Sequence, residues 1–183
     1  MVQKRKNERT HTRKARAVGR WGRMKSRTAS YRKECHGVNG SDEWYTPIEL
    51  IRSLGEFDLD PACGPQCTNR TARRRYGVNG LEREWFGRVW LNPPFSFVPP
   101  WVDKMIEHNN GVMLVFGRVD AVWFQRAAQA ASGVYLLRGR VQFDRPNGST
   151  GRCPLGCVLF GFGAANRRAI QRCAWPGTWL SAN

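Results

Sequence analysis

The sequence predicts an α/β fold in which a mostly parallel sheet is covered by helices on both faces. Short apolar runs typical of buried strands alternate along the chain with amphipathic stretches typical of helices. Pro and Gly stand where these segments meet, and this alternation is typical of strands joined by crossover helices. The 183 residues, of which 41% are hydrophobic and eight are Trp, suffice for one domain with its own core.

The first part of the alternation begins with a well-marked helix. Thr46 is a suitable N-cap, Pro47 fits the first helical position, and Glu49 completes a capping box. Gly55 is typical of a helix end. The segments predicted after this helix are a strand at 57–60, a helix at 68–75 and a strand at 89–91.

The second part continues in the same way. Pro100 can begin a helix that ends at Asn109-Asn110-Gly111. The next predicted segments are a buried strand at 112–116, a helix at 121–131 and a strand at 134–137. Strands at 141–143 and 157–162 flank a polar loop at 144–152, and the last twenty residues give no clear pattern.

Positive charge is concentrated at the N-terminus. Residues 1–34 contain 13 Lys and Arg but only Glu8 and Glu34, which gives a net charge of +11 out of the total of +16. Such a segment buries too little apolar surface to fold alone, so we expect residues 1–40 to be a disordered arm and 41–183 to be the folded domain. A nucleic acid is the natural partner of this arm. A localisation signal or a solubilising tail is the alternative.

The cysteines and the apolar runs indicate a reducing compartment. Six Cys occur without the apolar core of a secretory signal, and no run of 18 apolar residues could span a membrane. Cys63/Cys67 and Cys153/Cys157 share a C-x3-C spacing that could hold zinc with a further Cys or His. The favoured interpretation is that these cysteines are small residues packed beside tight turns, so we expect no metal. Because the thiols would stay reduced, we expect a cytoplasmic protein.

Two unusual stretches directly follow predicted strands. Asp60-Pro61-Ala62-Cys63-Gly64 places a carboxylate at a strand tip, followed by small residues past which a ligand can approach the backbone. Asn92-Pro93-Pro94-Phe95 ends the next strand in a rigid turn, because Pro lacks an N–H group and fixes its own φ angle. Ligands of open α/β sheets bind beyond the carboxyl ends of strands, so both stretches are candidate site segments.

The turn at 92–95 resembles the [D/N/S]-PP-[Y/F/W] motif of amino methyltransferases. An exocyclic amine on a base is a poor nucleophile, because its lone pair is delocalised into the ring. The Asn92 side-chain oxygen and the Pro93 carbonyl can accept its two hydrogens, which turns the lone pair toward a methyl donor. Pro93 and Pro94 fix the direction of the carbonyl, so little reorganisation is needed at reaction. Phe95 can stack on a base extruded from the duplex.

The order of the motifs is more specific than any one of them. WYTP (44–47), LDPACG (59–64), WLNPPF (90–95), GRVDAVWF (117–124), LRGRVQF (137–143) and CPLGCVLFGF (153–162) follow one another. Over residues 41–163 this succession resembles the phage-type DNA adenine (Dam-like) methyltransferase family. The resemblance implies a Rossmann-like class I methyltransferase of reduced size. Its implied reaction moves a methyl group from S-adenosylmethionine to the exocyclic amine of adenine in double-stranded DNA, in the host cytoplasm if a phage encodes it.

The resemblance also implies which residues carry the site. The catalytic set is Asn92, Pro93, Pro94 and Phe95. The cofactor-binding set is Thr46, Pro47, Asp60, Pro61, Ala62, Cys63 and Gly64. An acidic residue for the cofactor ribose, usual at the end of the second strand, has no match between Arg70 and Gly80, which leaves Glu82 or Glu84.

Four arginines are expected to contact DNA. Arg118 follows a predicted strand, where a salt bridge with Asp120 is the alternative. Arg138 and Arg140 alternate along a predicted strand edge, where solvation is the alternative to phosphate contact. Arg145 belongs to the polar loop at 144–152, from which we expect sequence readout.

Other acceptors and a non-catalytic role stay open at this stage. Turns of the NPPF type also serve methyltransferases that act on protein glutamine or on RNA guanine, because these targets are planar amines as well. The basic arm disfavours a protein acceptor but not RNA. A basic DNA-binding protein without catalysis on the same fold is the alternative from another class.

Overall fold

A computed structural model describes residues 43–153 and 155–181, so the expected arm at 1–40 lies outside the described residues. The described chain forms a seven-stranded sheet, a separate two-stranded sheet and four helices. The helices are α1 (Ile48–Ser53), α2 (Pro99–His108), α3 (Val122–Ala130) and α4 (Ala164–Gln171). The strands are β1 (Leu59–Asp60), β2 (Arg74–Arg75), β3 (Val89–Leu91), β4 (Gly111–Phe116), β5 (Gly133–Leu137), β6 (Gln142–Asp144), β7 (Thr150–Arg152), β8 (Cys157–Phe162) and β9 (Gly177–Ser181).

The large sheet has the strand order β2-β1-β3-β4-β8-β5-β9. Strands β2, β1, β3 and β4 pair in parallel, whereas β8 is antiparallel to both β4 and β5, and β9 is antiparallel to β5. Strand β5 therefore runs in the direction of β4, and among the described strands of the large sheet only β8 and β9 run the other way. The α/β class is confirmed, and the sheet is mixed, with its parallel half carrying the two unusual stretches.

Helices cover both faces of this sheet. Successive residues of a strand point to opposite faces. On β8, the ring of Phe160 lies 5.1 Å from the ring of Phe124 in α3. A side chain on its neighbour Gly161 would instead meet Ile170 and Asn166 of α4, within about 3 Å. Helices α3 and α4 thus lie on opposite sides.

The central strands are apolar throughout because both of their faces are covered. Every residue of β4 and of β8 is buried, as expected for strands in the middle of a layered α/β sheet. The first residue of β4 is Gly111, and a glycine is required there because a Cβ would collide with the carbonyl oxygen of Val89. Asn109, with φ of 48°, ends α2 in the left-handed conformation, which confirms the predicted helix end.

The helix predicted at 68–75 is wrong. Its last residues form β2, an exposed edge strand of two arginines beside β1. Arg74 N–H donates to the Asp58 carbonyl at 2.9 Å, and Tyr76 N–H donates to the Asp60 carbonyl at 2.9 Å. Pairing with a neighbouring strand therefore outweighs the helix propensity of this arginine-rich segment.

The C-terminal third differs most from the prediction. The segment predicted as a strand at 141–143 is β6, which pairs with β7 in a hairpin, so the polar loop at 144–152 contains a strand. We refer to Gln142–Asp144, Thr150–Arg152 and the turn between them as the β6–β7 hairpin. Helix α4 and strand β9 were missed, because α4 buries only Asn166 and Ile170, and the residues of β9 are exposed or half-buried.

Arg88 joins α1, β3 and α4 at the edge of the sheet opposite the carboxyl ends of the parallel strands. Its guanidinium donates to the side-chain oxygen of Asn166 at 2.6 Å and to the carbonyls of Glu56 at 2.7 Å and Leu54 at 2.8 Å. It also lies 4.2 Å from the centre of the Phe57 ring. Burial lowers the pKa of Arg88.

In the part of the chain that the structure describes, no helix is long and apolar enough to cross a membrane.

Candidate active site

A cavity of about 240 Å³ lies at the carboxyl ends of the parallel strands. The chain passes from β1 to β2 on one side and then to β3 on the other, so the strand order reverses between β1 and β3. Such a reversal is where open α/β sheets bind ligands. Predicted site residues that line the cavity are Thr46, Asp60, Pro61, Ala62, Cys63, Gly64, Asn92, Pro93 and Pro94.

Asp60 ends β1 and is buried, with 4% of its surface exposed. Its carboxylate accepts the Ala62 N–H at 3.0 Å and the Thr71 hydroxyl at 2.5 Å. Burial raises the pKa of Asp60 to about 6, although both hydrogen bonds and Arg75 act to lower it. Asp60 therefore orders the turn at 60–62 and at the same time presents a buried carboxyl to the cavity.

Thr71 is a site residue that the sequence did not reveal. It is buried, lines the cavity and holds the Asp60 carboxylate through its hydroxyl. Thr71 was not identified from the sequence because residues 68–75 were predicted to form a helix, which would not have placed Thr71 beside β1.

Thr46 does not cap α1, which corrects the prediction of an N-cap and a capping box. Pro47 is the residue that precedes the helix, and no side chain caps the first turn. The Pro47 carbonyl accepts the N–H groups of Leu50 and Ile51, and Pro47 is not part of the cavity wall. The Thr46 hydroxyl oxygen is buried and has no hydrogen-bond partner among the described residues. It is thus available to a group in the cavity.

Asn92 presents one buried oxygen without a partner. Its side-chain Nδ2 donates to the Trp44 carbonyl at 2.6 Å. Its Oδ1 is buried and accepts no hydrogen bond from the described residues. Buried polar atoms are nearly always paired, so an orphaned oxygen in a cavity wall is evidence for a donor that binds there.

Phe95 departs from the expectation that its ring faces a base. It is 2% exposed and does not line the cavity. Its ring stacks on Phe116 with 3.6 Å between the centroids and meets Phe143 edge-on at 6.4 Å. The exposed aromatic residue nearby is Phe97, two residues after Phe95, at 61%. In this structure Phe95 supports the turn from inside the core.

The strand-end segment after β2 contains no acidic residue that faces the cavity. Glu82 and Glu84 are exposed and lie outside the cavity wall. The wall is instead formed here by Tyr76, Gly77, Val78, Asn79 and Gly80. Asn79 is exposed and has φ of 57°. Together with Tyr76, it supplies a polar side chain at the place where an acid was expected.

The cysteines among the described residues are free thiols. Cys63 and Cys67 line the cavity, where their mutual interaction raises the pKa of Cys63 and lowers that of Cys67. Cys153 and Cys157 are buried away from it. Among the described residues, no three His, Cys, Asp or Glu are grouped so that they could hold a metal ion.

The four predicted DNA-contacting arginines lie outside the cavity wall. Arg118 forms an ion pair with Asp120 at 3.4 Å, which was the alternative to DNA contact. Arg138 and Arg140 follow the end of β5 and are exposed, which corrects the prediction that they alternate along a strand. Because β5 runs in the direction of β4, they belong to the edge that holds the cavity. The Arg145 guanidinium lies 3.9 Å from the centre of the Trp44 ring.

Comparison with known proteins agrees with this arrangement. A family model described as DNA N-6-adenine-methyltransferase (Dam) matches residues 36–154. The DNA N-6-adenine-methyltransferase of Escherichia phage T1 is 38% identical over 116 residues, which cover 56% of this chain and 48% of the relative. The chain thus spans about half the length of the curated relative that it matches, and no solved structure matches it. The matched residues include both strand-end stretches and the β6–β7 hairpin, and the chain belongs to the DNA N-6-adenine-methyltransferase (Dam) family.

Proposed function

We propose that this protein transfers a methyl group from S-adenosylmethionine to the exocyclic amine of adenine in double-stranded DNA. The observation that carries the proposal is the buried Oδ1 of Asn92, which lacks a hydrogen-bond donor among the described residues. An amine with two hydrogens is the donor that this oxygen and the adjacent Pro93 carbonyl would hold together. Family membership supports the same reaction.

The chain's own contribution to this reaction is to orient the amine. When both amine hydrogens are held by Asn92 Oδ1 and the Pro93 carbonyl, the nitrogen lone pair loses its conjugation with the ring. Pro93 and Pro94 keep the carbonyl fixed before the amine arrives, so the acceptors need no reorganisation during transfer. No described histidine lies at the cavity, and the methylated amine can lose its proton to water.

The residues present fit S-adenosylmethionine, which would supply an electrophilic methyl group on a sulfonium. The Asp60 carboxyl suits the ammonium of the methionine part, and the orphaned Thr46 hydroxyl suits its carboxylate. Asn79 would face the ribose hydroxyls with an amide instead of an acid. Pro61, Ala62, Cys63 and Gly64 form the small-residue floor of the cavity.

The strand order supports a Rossmann-like class I methyltransferase fold of reduced size. The parallel order β2-β1-β3-β4 places the reversal of strand order between the two motif-bearing strands. The antiparallel β8 lies between β4 and β5. Beyond β1, which contributes to the cavity, the sheet has one further strand, β2. As the place of the reaction we propose the cytoplasm, where the free thiols of the described residues would stay reduced.

The proposed partner, duplex DNA, is favoured by the distribution of charge. Arg138 and Arg140 are exposed at the edge that holds the cavity, and residues 1–34 carry a net charge of +11. Phosphate contacts of this kind supply affinity and position without reading sequence. An RNA acceptor and a protein glutamine amide are the alternatives that share the amine chemistry.

The experiment that separates these acceptors follows labelled methyl groups. Duplex DNA, RNA and a protein mixture are each incubated with the full-length protein and S-adenosylmethionine labelled in the methyl group. We expect label in duplex DNA from the wild-type protein and none from Asn92→Ala. Label in RNA or protein instead of DNA would overturn the assigned acceptor. Label in none of the three, together with no binding of S-adenosylmethionine in calorimetry, would support a non-catalytic role.

A further inference from the structure

We infer that Arg145 is a positioning residue for the reaction: through Trp44, the β6–β7 hairpin sets the direction in which the Asn92 side-chain oxygen points. The inference rests on the proposed function for its kinetic part only. Sequence reasoning assigned Arg145 to DNA contact, whereas the contacts of its guanidinium connect it to the amide that would hold the substrate amine.

The first link is the hydrogen bond between Asn92 and Trp44. The Nδ2 of Asn92 donates to the Trp44 carbonyl at 2.6 Å, and Oδ1 is on the other arm of the same planar amide. If the Asn92 amide were rotated by half a turn, its Oδ1 would lie against the carbonyl oxygen of Trp44, and the two oxygens would repel each other. The position of the Trp44 carbonyl therefore determines where Oδ1 lies.

The second link holds the main chain at that carbonyl. Tyr45 N–H donates to the Asp144 carbonyl at 2.9 Å, and Asp144 N–H donates to the Tyr45 carbonyl at 3.0 Å. This pair of hydrogen bonds forms an antiparallel bridge between the last residue of β6 and the residue after Trp44. A shift of the β6–β7 hairpin would thus move the Trp44 carbonyl with it.

The third link holds the Trp44 ring, which is 6% exposed. Phe143 of β6 contacts the ring edge-on, with 5.7 Å between the centroids. The Arg145 guanidinium lies over the ring at 3.9 Å from its centre. The indole is therefore enclosed by side chains that flank the hairpin turn.

Gly151 of β7 shows how closely these groups approach the opposite strand. A Cβ on Gly151 would lie 2.7 Å from Nε of Arg145 and 2.9 Å from a carbon of the Trp44 ring. Both distances are shorter than a stable non-bonded contact, so a side chain here would displace the arginine, the ring or both. The packing of Arg145 on Trp44 requires a glycine at this position.

Arg145 is half-buried, so it can hold Trp44 and still present part of its guanidinium to a phosphate. The Arg145 side chain would thus both contact DNA and orient Asn92. A residue that only contacts phosphate would affect DNA affinity, whereas a positioning residue affects the rate with bound substrate.

The first experiment compares Arg145→Ala with Arg145→Met in the full-length protein. Both changes remove the charge, but the unbranched Met side chain can still cover the indole. We expect both variants to lose DNA affinity equally. We expect kcat at saturating DNA to fall by up to about a hundredfold in Arg145→Ala, as a small misplacement of a reacting group can do, and to be largely retained in Arg145→Met.

The second experiment inserts a methyl group beside the pair. Gly151→Ala places its Cβ against Arg145 and Trp44, whereas Gly156→Ala, the matched control, meets no atom within 4 Å. Neither glycine has a positive φ, so both backbones accept alanine. We expect a fall in kcat for Gly151→Ala only, with the melting temperature of each variant measured to confirm folding.

A readout that needs no activity accompanies both experiments. The side-chain amide resonances of Asn92, identified by their loss in Asn92→Ala, report the hydrogen bond to Trp44 in a protein labelled with ¹⁵N-asparagine. We expect these resonances to move in Arg145→Ala and Gly151→Ala and to stay in place in Arg145→Met and Gly156→Ala. Unmoved resonances in folded Arg145→Ala and Gly151→Ala would overturn the positioning role.

The two readouts also separate this inference from the proposed function. A wild-type protein that transfers no methyl group would remove the proposed function, and the amide resonances alone would then decide whether the hairpin orients Asn92. Equal kcat values for Arg145→Ala, Arg145→Met and wild type, with weakened DNA binding, would make Arg145 a phosphate contact and overturn the inference.

Discussion

At the scale of single residues, Thr46 and Asn92 each keep a buried oxygen without a partner among the described residues. A buried polar group left unsatisfied costs about 1–3 kcal/mol. Thr71, on the same cavity, has its hydroxyl fully engaged by Asp60. The two threonines therefore allow a direct comparison between a hydroxyl kept for a ligand and a hydroxyl that stabilises the fold.

Replacing each threonine by valine should have opposite effects on stability. Thr46→Val removes an unsatisfied hydroxyl, so we expect the free energy of unfolding to stay constant or rise, while S-adenosylmethionine binds more weakly. Thr71→Val removes a hydrogen bond to a carboxylate, so we expect a loss of about 1.5–3 kcal/mol. Denaturant unfolding and calorimetry measure both quantities. Equal destabilisation by the two changes would show that the Thr46 hydroxyl has a structural partner.

Asp60 should make stability and cofactor binding respond to pH in opposite directions. Burial raises the pKa of Asp60 from 3.8 to about 6, so its contribution to stability is full below pH 3.8 and is lost as the pH rises to about 6. A ligand ammonium favours the ionised carboxylate, so affinity for S-adenosylmethionine should rise over the same range.

The matched variant for this prediction is Asp60→Asn, which keeps the size and loses the charge. We expect it to be more stable than wild type at neutral pH, to bind S-adenosylmethionine more weakly, and to lose the pH dependence of both between 3.8 and about 6. Unfolding and titration calorimetry over this range measure the effect. Parallel pH profiles of the two proteins would contradict the raised pKa of Asp60.

The position of the candidate site was predictable where covalent chemistry fixes the local backbone. Prolines after β1 and β3 indicated turns at strand ends, and Asp60, Asn92 and Pro93 of these segments line the cavity. The burial of Phe95 could not be predicted, because a turn does not tell which of its aromatics faces the core. Phe97, two residues further on, is the exposed one.

At the scale of elements, the sequence predicted those segments whose period or caps are unambiguous. The strand predicted at 157–162 and the helix end at Asn109 are confirmed. Elements held by tertiary contacts were missed: β2 has two exposed arginines and depends on β1, and β9 is an edge strand paired with β5. A hydrophobic pattern contains little information about such elements, because few of their side chains are buried.

Arg88 should be the strongest link between elements. It donates to Asn166, Glu56 and Leu54 from a half-buried position, so Arg88→Ala leaves several acceptors without a donor. The hydrogen bond to the Glu56 carbonyl is exposed, whereas those to Asn166 and Leu54 are part-buried. Because a buried acceptor that loses its partner costs about 1–3 kcal/mol, we expect the two part-buried bonds to account for most of a loss of about 2–4 kcal/mol. Urea unfolding measures it.

The control is Arg73→Ala, since Arg73 pairs with Glu56 on the surface with side-chain exposures of 71% and 81%. An exposed ion pair contributes little to stability, so we expect little change. Comparable losses in the two variants would show that Arg88 contributes no more than a surface charge.

At the scale of the whole molecule, the fold brings strand ends together in the described residues, and the N-terminal sequence is strongly basic. Residues 1–34 carry 13 of the 30 Lys and Arg. If five of these cations neutralise phosphates, they add roughly −4 to −5 to the slope of log affinity against log salt concentration. Sequence preference should be unaffected, because phosphate contacts are the same for all sequences.

The test is a full-length variant in which the Lys and Arg of residues 1–34 are replaced by Gln. We expect its salt dependence of DNA binding to be shallower than that of wild type and its affinity to fall equally for all DNA sequences. Cofactor affinity should be unchanged, since the cavity is formed by the described residues. Parallel lines for the two proteins on the log–log plot would show that these charges do not contact DNA.

The central claim is that the Asn92 oxygen and the Pro93 carbonyl hold the amine of adenine for methylation. The most direct measurement is nucleoside mass spectrometry of duplex DNA after incubation with S-adenosylmethionine and either wild type or Asn92→Ala. Loss of one preorganised acceptor costs about 3–4 kcal/mol of barrier, a factor of hundreds, so the account predicts N6-methyldeoxyadenosine with wild type and almost none with the variant. Methylation of cytosine instead of adenine, or equal methylation of adenine by a folded Asn92→Ala protein, would contradict it.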